Sequence, residues 1–298
     1  RDWKVEGMVG LAGSLYTREY RRRFGIDDSR NCPCDDVFNT DNPNNVDIFV
    51  NRDPRLYETM VVNRNNLVEQ YQGLSSTEMW QGGNVDQTFN PAVTDNPWST
   101  RMKLFKYLRD NGYAAYYPTN FAYLRMADIH LCYAEALAQT GNLQKACDEM
   151  NKVRARVGLG KVEAMNPELN LTANKDNFIE QLLKERACEF GYEDSRWYDL
   201  IRYKRSDIFK KQVHQLRVWR KDANGNKMNP ADYNGNTSLE PGEPWPNCIY
   251  EKIPCTNNIR VWWDTDDQTS KWTDKWYLTP ISRDEINKGY GLNQNPGW

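Results

Sequence analysis

Between residues 121 and 157, apolar side chains recur every three or four positions, which is the period of a helix with one buried face. The first stripe, which predicts a core-facing helix over 121–139, consists of Leu124, Ala127, Leu131, Ala134 and Ala138. The second stripe, which predicts a helix that ends at Gly158, consists of Ala146, Met150, Val153 and Val157. The Thr140-Gly141-Asn142 segment interrupts the pattern. We therefore expect the two helices to form an antiparallel hairpin.

Small residues at Ala134 and Ala146, together with larger ones at Leu137 and Met150, are typical of a tetratricopeptide unit, in which alanines let two helices approach closely. One such unit cannot bury its own apolar face, so neighbouring helices are required. Two more apolar patterns, over 175–193 and 195–205, supply them. The sequence thus predicts a helical block over 121–211 with at least four helices.

The segments on either side of the helical block have a different character. Residues 1–120 are rich in Asn, Asp, Pro and Gly, and we expect loops that face a ligand. Residues 212–298 are expected to form irregular cover and a C-terminal tail, with a hairpin turn at Asn224-Gly225 and a capped helical turn at Ser282. The prediction is one mainly α domain of tetratricopeptide-like hairpins overlaid with long loops and a few short strands.

Composition narrows the classes of partner. The 298 residues carry a net charge of −2 without a long block of one sign, which excludes the usual electrostatic footprint of a nucleic-acid binder. No apolar run approaches the roughly 18 residues that a membrane-spanning helix needs. The sequence does not begin with Met, and we expect a targeting segment upstream. Eleven Trp and 17 Tyr in a chain this hydrophilic predict that some aromatic faces are exposed and bind a ligand.

Residues for catalysis or metal binding are sparse. With two His and no HExxH, G-x-S-x-G or GxxxxGK[ST] pattern, the chain is predicted not to be an enzyme. Of seven Cys, those at 132, 147 and 188 fall in helical patterns and are predicted to be buried thiols, while pairing of Cys248 with Cys255 stays open. The acidic turn at 264–267 lacks the Gly and Glu of a calcium loop, so a solvated turn is favoured over calcium. No cofactor is predicted.

Charged residues follow a helical spacing in the second half of the block. The set consists of Glu185, Arg186, Glu189, Arg196, Asp199 and Arg202. One interpretation is a binding cluster. The favoured interpretation is that paired charges fix the helices to each other.

Several segments resemble the SusD/RagB family of bacterial outer-membrane nutrient-binding lipoproteins. The most specific are E-R-x-x-E-F-x-x-E-x-x-R-W-x-D-L over 185–200 and the terminal Y-L-x-P-I followed by N-Q-N-P-G-W over 277–298. The helical segments 124–136 and 151–159 fit the same family, and Asp53-Pro54-Arg55 lies where the family tends to carry a D-P-R segment.

The resemblance implies a tetratricopeptide-like scaffold, a lipid anchor at an upstream Cys and residence on the outer face of the outer membrane. It also implies pairing with a SusC-like TonB-dependent transporter, to which captured glycan or peptide is delivered. Family members are usually longer, and this sequence resembles their C-terminal portion. The early helical repeats and part of the ligand site would then lie outside it.

The loop-rich region before the helices is the predicted place for a glycan site, because a sugar ring favours a flat aromatic ring beneath it and amide or guanidinium groups beside it. The first candidates are Trp80, Trp98 and Tyr71, with Gln81, Asn84 and Arg101 as hydrogen-bonding neighbours. Trp262 and Trp263 are the second choice, since adjacent residues of an extended segment point to opposite faces. Alternatively, Trp80 or Trp98 covers the helical core.

Three functions therefore remain open. The first is a non-catalytic surface protein that captures oligosaccharide for import, and the second is a peptide-binding lipoprotein of the RagB type. The third is a tetratricopeptide-type adaptor, which would use a helical groove, whereas a sugar binder would use aromatic rings on a loop-built surface.

Overall fold

The structure is a computed structural model that describes the helical block and parts of the segments on either side. The described residues are 53–61, 80, 103–104, 122–191, 193, 195–210, 214–229, 248–254, 263–264 and 269–298. Within them the architecture is mainly α with a few short strands, which confirms the predicted fold class.

A short helix, α1 (Pro54–Thr59), precedes the helical block. It begins at Pro54, a residue that suits the first turn of a helix because it has no backbone N–H to leave unpaired. Strand β1 (Met60–Val61) follows directly and pairs antiparallel with β2 (Lys103–Leu104).

The predicted hairpin is present as helices α2 (Met126–Gln139) and α3 (Leu143–Arg156), which pack against each other. Both helices end in the same way. A glycine with positive φ, Gly141 at +85° and Gly158 at +76°, follows each helix, and a backbone N–H beyond it returns to a carbonyl five residues earlier. Helix α2 begins five residues later than predicted, because Arg125 is extended.

Four further helices complete the block. They are α4 (Val162–Met165), α5 (Lys175–Glu189), α6 (Arg196–Arg202) and α7 (Ser206–Phe209), with a 3-10 turn at Pro167–Leu169. Helix α5 is capped by Asn174, whose side-chain oxygen accepts a hydrogen bond from the Asn177 N–H at 3.0 Å. It packs against both α2 and α3, so it covers one side of the hairpin.

The main core lies between α2, α3 and α5. Ala134 and Ala146 are fully buried, as the tetratricopeptide pattern predicts, and Met150 and Phe178 fill the space beside them. Leu124 does not belong to this core: it precedes α2 and is 66% exposed, so its predicted place in the apolar stripe is wrong. A second cluster joins α6 and α7 to the C-terminal region, with Phe209 stacked on Trp272 at 4.2 Å between ring centroids.

Strand β3 (His214–Arg220) pairs antiparallel with β4 (Cys248–Pro254) over seven residues. The predicted turn at Asn224-Gly225 is present, with Gly225 at φ +91° and an isolated bridge between Lys221 and Lys227. However, the main partner of β3 is β4 and not the segment directly after the turn. A shorter pair consists of β5 (Trp263–Asp264) and β6 (Thr269–Ser270).

The C-terminal residues fold back onto a 3-10 turn at Asp274–Tyr277. The indole N–H of Trp298 donates to the carbonyls of Lys275 and Leu278 at 2.9 and 3.0 Å. The Lys275 ammonium lies 5.2 Å from the Trp276 ring centroid and 4.7 Å from that of Trp298. The short helix α8 (Arg283–Asn287) lies between the 3-10 turn and Trp298 in sequence, and it is capped by Ser282, as predicted.

Candidate functional site

The D-P-R segment forms a preorganised arginine. Both carboxylate oxygens of Asp53 accept hydrogen bonds from the Arg55 guanidinium, at 2.9 and 2.6 Å, and one of them also accepts from the Arg55 backbone N–H. Pro54 lies between them and is the first residue of α1. Asp53 thereby orients the remaining donor of Arg55, Nη1, away from its own segment.

That donor reaches helix α5. Arg55 Nη1 lies 2.6 Å from an oxygen of Glu185 and 3.1 Å from an oxygen of Glu189. The two glutamates are four residues apart and therefore share one face of the helix. The other oxygen of Glu185 accepts from Arg154 of α3 at 2.8 Å, and the Arg154 Nε–H donates to the Gly160 carbonyl. A segment near residue 55 is thus joined to two helices of the block.

Three arginines converge on Glu189. Besides Arg55, it accepts hydrogen bonds from Arg156 at 2.7 and 2.8 Å and a short one from Arg125. Burial by itself raises the pKa of Glu189, but the hydrogen bond from Arg125 and the nearby arginine charges outweigh it and hold the pKa below its ordinary value. Arg125 also binds Glu193 at 2.7 Å.

We call these residues the buried charge network because most of them are buried; the side chain of Arg156 is 57% exposed. Its members are Asp53, Arg55, Arg125, Arg154, Arg156, Glu185, Glu189 and Glu193. Four arginines face four carboxylates, so the charges balance within the network.

A second set of charges joins α2, α5 and α6. Arg186 binds Asp199 at 2.7 Å and Asp128 at 3.1 Å, while Arg202 binds both Asp199 and Glu135. Arg196, the remaining member of the predicted set, donates to the Leu183 carbonyl at 3.1 Å. All of these contacts except Arg202–Asp199, which lies within α6, run between helices, so they favour the interpretation that the charges fix the helices rather than bind a ligand.

Most residues predicted for a glycan site lie outside the described residues. They are Tyr71, Gln81, Asn84, Trp98, Arg101 and Trp262. The backbone of Trp263 pairs with Ser270 in the short β5–β6 ladder.

Trp80 is described, and its surroundings do not fit the predicted stacking role. Its side chain is 0% exposed, and the Arg220 guanidinium lies 5.7 Å from its ring centroid. A sugar stacks on a ring only where one face is open. The alternative given above placed this ring over the helical core; the structure shows the ring buried and next to Arg220 of β3.

The cysteines follow the sequence prediction in part. Cys147 and Cys188 are buried free thiols, as predicted, and burial raises the pKa of Cys147 to about 12. Cys132 is exposed, so its predicted burial is wrong. Cys248 is also a buried free thiol.

The predictions about metal fall largely beyond the described part of the chain. Residues 265–267 of the acidic turn lie outside the described residues. Within the residues that are described, no group of three or more His, Cys, Asp or Glu side chains is arranged to hold a metal ion. Among the same residues, no helix is both long enough and apolar enough to cross a bilayer.

An exposed apolar surface on α2 was not predicted from the sequence. Met126, Ile129 and Tyr133 are 62%, 47% and 52% exposed, and they recur at three- and four-residue spacing. Tyr123 and Leu124, which precede the helix, are 93% and 66% exposed. We call these five residues the apolar face. The signal was present in the sequence, because apolar residues extend beyond the core stripe around most of α2, except on the side of Asp128, Glu135 and Gln139.

The described residues thus form a helical-repeat scaffold in which the motif residues Glu185, Arg186, Glu189 and Asp199 are buried and paired with opposite charges. The chain belongs to the SusD family, whose sequence profile matches residues 10–298. This finding confirms the resemblance seen in the sequence.

Individual relatives agree with the family. A SusD-like protein of Bacteroides ovatus is 32% identical over 114 residues, which cover 36% of this chain and 18% of that protein. The SusD-like protein P38 of Formosa agariphila is 32% identical over 102 residues, which cover 34% of this chain and 20% of that protein.

The fold is also found among solved structures. A SusD-like protein of Bacteroides fragilis superposes with a TM-score of 0.63 at 21% identity, over 97% of this chain and 46% of that one. The chain therefore spans less than half the length of this structural relative.

Proposed function

We propose that this protein is a non-catalytic binding protein of the cell surface that captures oligosaccharide and passes it to a SusC-like TonB-dependent transporter. The observation that carries the proposal is the family match over residues 10–298. The buried charge network supports it, because the D-P-R segment and the E-R-x-x-E motif, which belong to the resemblance, contact each other directly through Arg55, Glu185 and Glu189.

The same family membership supports the proposed location. We infer a lipid anchor upstream of this sequence and residence at the extracellular face of the outer membrane. Co-purification of the full-length lipoprotein with a SusC-like transporter from detergent-solubilised outer membranes tests both the location and the partner. Recovery of the protein in the soluble fraction, without the transporter, would contradict this part of the proposal.

The proposed glycan site lies in the loop-rich region, with Trp98 and Tyr71 as stacking rings. Gln81, Asn84 and Arg101 are the proposed hydrogen-bonding neighbours, and Trp262 and Trp263 are the second choice of rings. Trp80 is not proposed as a stacking ring, because its ring is fully buried.

Isothermal titration of the full-length protein tests the site, after affinity electrophoresis against a panel of polysaccharides has identified a ligand. Removal of one stacking ring costs about 1–2 kcal/mol, so Trp98→Ala is expected to weaken binding about ten-fold or more. The matched control is Tyr290→Ala, which removes an aromatic ring that is 78% exposed near the C terminus and is expected to leave affinity unchanged.

Two outcomes decide against the proposal in different ways. If Trp98→Ala folds normally and binds as the wild type does, the ligand site lies elsewhere in the protein. If polysaccharides do not retard the protein and hydrophobic peptides bind it, the peptide-binding function of the RagB type replaces the glycan-binding one.

A further inference from the structure

The turn that follows β3 carries an Asn-Gly dipeptide at its tip. Asn224 is exposed, and its carboxamide forms no hydrogen bond with the described residues, so it can turn toward the backbone nitrogen of Gly225. Two further Asn-Gly pairs, at 111–112 and 234–235, lie outside the described residues.

An asparagine carboxamide can react with the backbone nitrogen of the residue that follows it. That nitrogen bonds to Cγ, and the carboxamide nitrogen leaves as ammonia together with the proton that the backbone nitrogen gives up. The product is a succinimide ring, which water opens at either carbonyl to give aspartate or isoaspartate. A side chain on the following residue hinders the attack. Glycine has none, so the backbone at Gly225 can approach the Asn224 Cγ closely.

Hydrogen bonds to Asp222 hold the turn in a conformation that opposes this reaction. The Gly225 N–H donates to the Asp222 carbonyl at 3.1 Å, so the nitrogen that must attack has its proton engaged. One carboxylate oxygen of Asp222 accepts from the backbone N–H groups of Asn224 and Asn226 at 2.9 and 2.6 Å. The other accepts from the Asn226 side chain at 3.2 Å. The Asp222 side chain thus closes the turn, and reaction at Asn224 requires that the turn open.

The Asp222 carboxylate keeps these contacts under the conditions that favour the reaction. The backbone N–H of Asn226 makes the largest contribution to a pKa of Asp222 that lies below its ordinary value. Attack requires that the Gly225 nitrogen lose its proton, which mildly alkaline pH favours. At that pH the carboxylate of Asp222 is ionised and still accepts its hydrogen bonds.

We propose that Asn224 is a site of spontaneous deamidation and that Asp222 slows the reaction by holding the turn closed. The product carries a new negative charge two residues from the Asp222 carboxylate, and the like charges repel each other. The isoaspartate form also adds a methylene to the backbone between Asn224 and Gly225. Both changes disturb the isolated bridge between Lys221 and Lys227, which spans the turn. This inference does not depend on which ligand the protein binds.

Peptide mapping of the full-length protein after incubation at mildly alkaline pH tests the proposal. Trypsin cuts after Lys221 and Lys227, so Asn224 and Asn226 lie in one short peptide, and fragment ions assign the converted position. Digestion in heavy-oxygen water marks any conversion that occurs during digestion. Asn226 is the internal control, because it is exposed in the same turn but is followed by Lys227, and we expect it to stay intact.

Two variants test the role of Asp222. Asp222→Ala removes the carboxylate contacts and is expected to accelerate conversion of Asn224 about five-fold or more, because the turn then opens more often. Asp222→Asn keeps an oxygen acceptor for the two backbone N–H groups, so its rate is expected to stay near that of the wild type. A synthetic peptide of residues 220–229 gives the rate without the fold, and we expect it to exceed the rate in the wild-type protein by a similar factor.

Three results would each overturn a step of the proposal. If Asn224 stays intact in the protein while the peptide converts fully, this residue is not a modification site. Equal rates in the wild type and Asp222→Ala rule out the role given to Asp222. Conversion of Asn226 as fast as that of Asn224 contradicts the argument from the glycine.

Discussion

Glu185 is the residue at which the structure makes the sharpest prediction about stability. It is 2% exposed, and its two oxygens accept from different arginines, Arg55 at 2.6 Å and Arg154 at 2.8 Å. Glu185→Gln keeps the size of the side chain but removes its charge. It also replaces one acceptor by an NH₂ group, so one of the two guanidinium groups then faces a donor.

The magnitude follows from what the arginines retain. Arg55 keeps both oxygens of Asp53 and one of Glu189, while Arg154 keeps the Gly160 carbonyl. A hydrogen bond to a charged group contributes about 1.5–3 kcal/mol, and removal of one partner from a buried ion pair costs about 3–5 kcal/mol. We expect the free energy of unfolding to fall by about 3 kcal/mol or more.

Thermal and urea unfolding of the full-length protein measure this loss, and the melting temperature is expected to fall by roughly 2–5 °C, because the shift per kcal/mol becomes smaller as the chain becomes longer. The matched control is Glu180→Gln on the same helix. Glu180 is exposed and binds Arg205 at 2.7 and 2.9 Å, and such surface pairs contribute about 0–1 kcal/mol. If the two variants lose the same stability, within about 0.5 kcal/mol, the buried charge network does not stabilise the fold as argued.

Two further predictions concern the C-terminal segment and the response to acid. Gly297→Ala places a Cβ 2.9 Å from the Cβ of Lys275 at a φ of +85°, whereas Gly289→Ala meets a similar φ of +78° in open space. The positive φ destabilises both variants. We expect Gly297→Ala to lower the unfolding free energy by about 1–3 kcal/mol more than Gly289→Ala does. Equal losses for the two variants in urea titrations would contradict the packing described. The pKa of Glu189 is lowered in the folded protein, so its contribution to stability is present above the ordinary glutamate pKa of about 4.3 and is lost as pH falls through the lower native value. The unfolding free energy of Glu189→Gln is therefore expected to depend less steeply on pH below about 4.3 than that of the wild type, and identical slopes would refute this assignment.

The helical block could be predicted from the sequence because its signals are local. Three signals depend on residues only a few positions apart: the repeat of apolar residues, the turn at Gly141 and the end of α3 at Gly158. The structure confirms all three. The apolar period also predicted the start of α2 too early and placed Leu124 in the core. Periodicity does not reveal that Arg125 is extended, because Arg125 pairs with Glu189, the last residue of α5, and with Glu193 just beyond it.

Contacts across long separations were not predictable in this way. The spacing places Glu185 and Glu189 on one helix face, but nothing in the local pattern links them to Arg55, which is 130 and 134 residues away in sequence. The pairing of β3 with β4 was missed for the same reason, because the Asn-Gly turn favoured the nearer segment. Trp80 shows a further limit: composition indicates that some rings are exposed but not which ones.

The link between Arg55 and helix α5 also bears on the order in which the chain folds. Closing a loop of 130 residues costs more chain entropy than closing the α2–α3 hairpin, whose helices are joined by three residues. Contacts between α2 and α3 can therefore form early, whereas the ion pairs between the glutamates of α5 and Arg55 of the D-P-R segment form later. Before Arg55 docks, we expect the carboxylates of Glu185 and Glu189 to remain hydrated. Docking of Arg55 then completes their ion pairs and displaces this water. We therefore expect docking of Arg55 to be a late, long-range step in the folding of the scaffold.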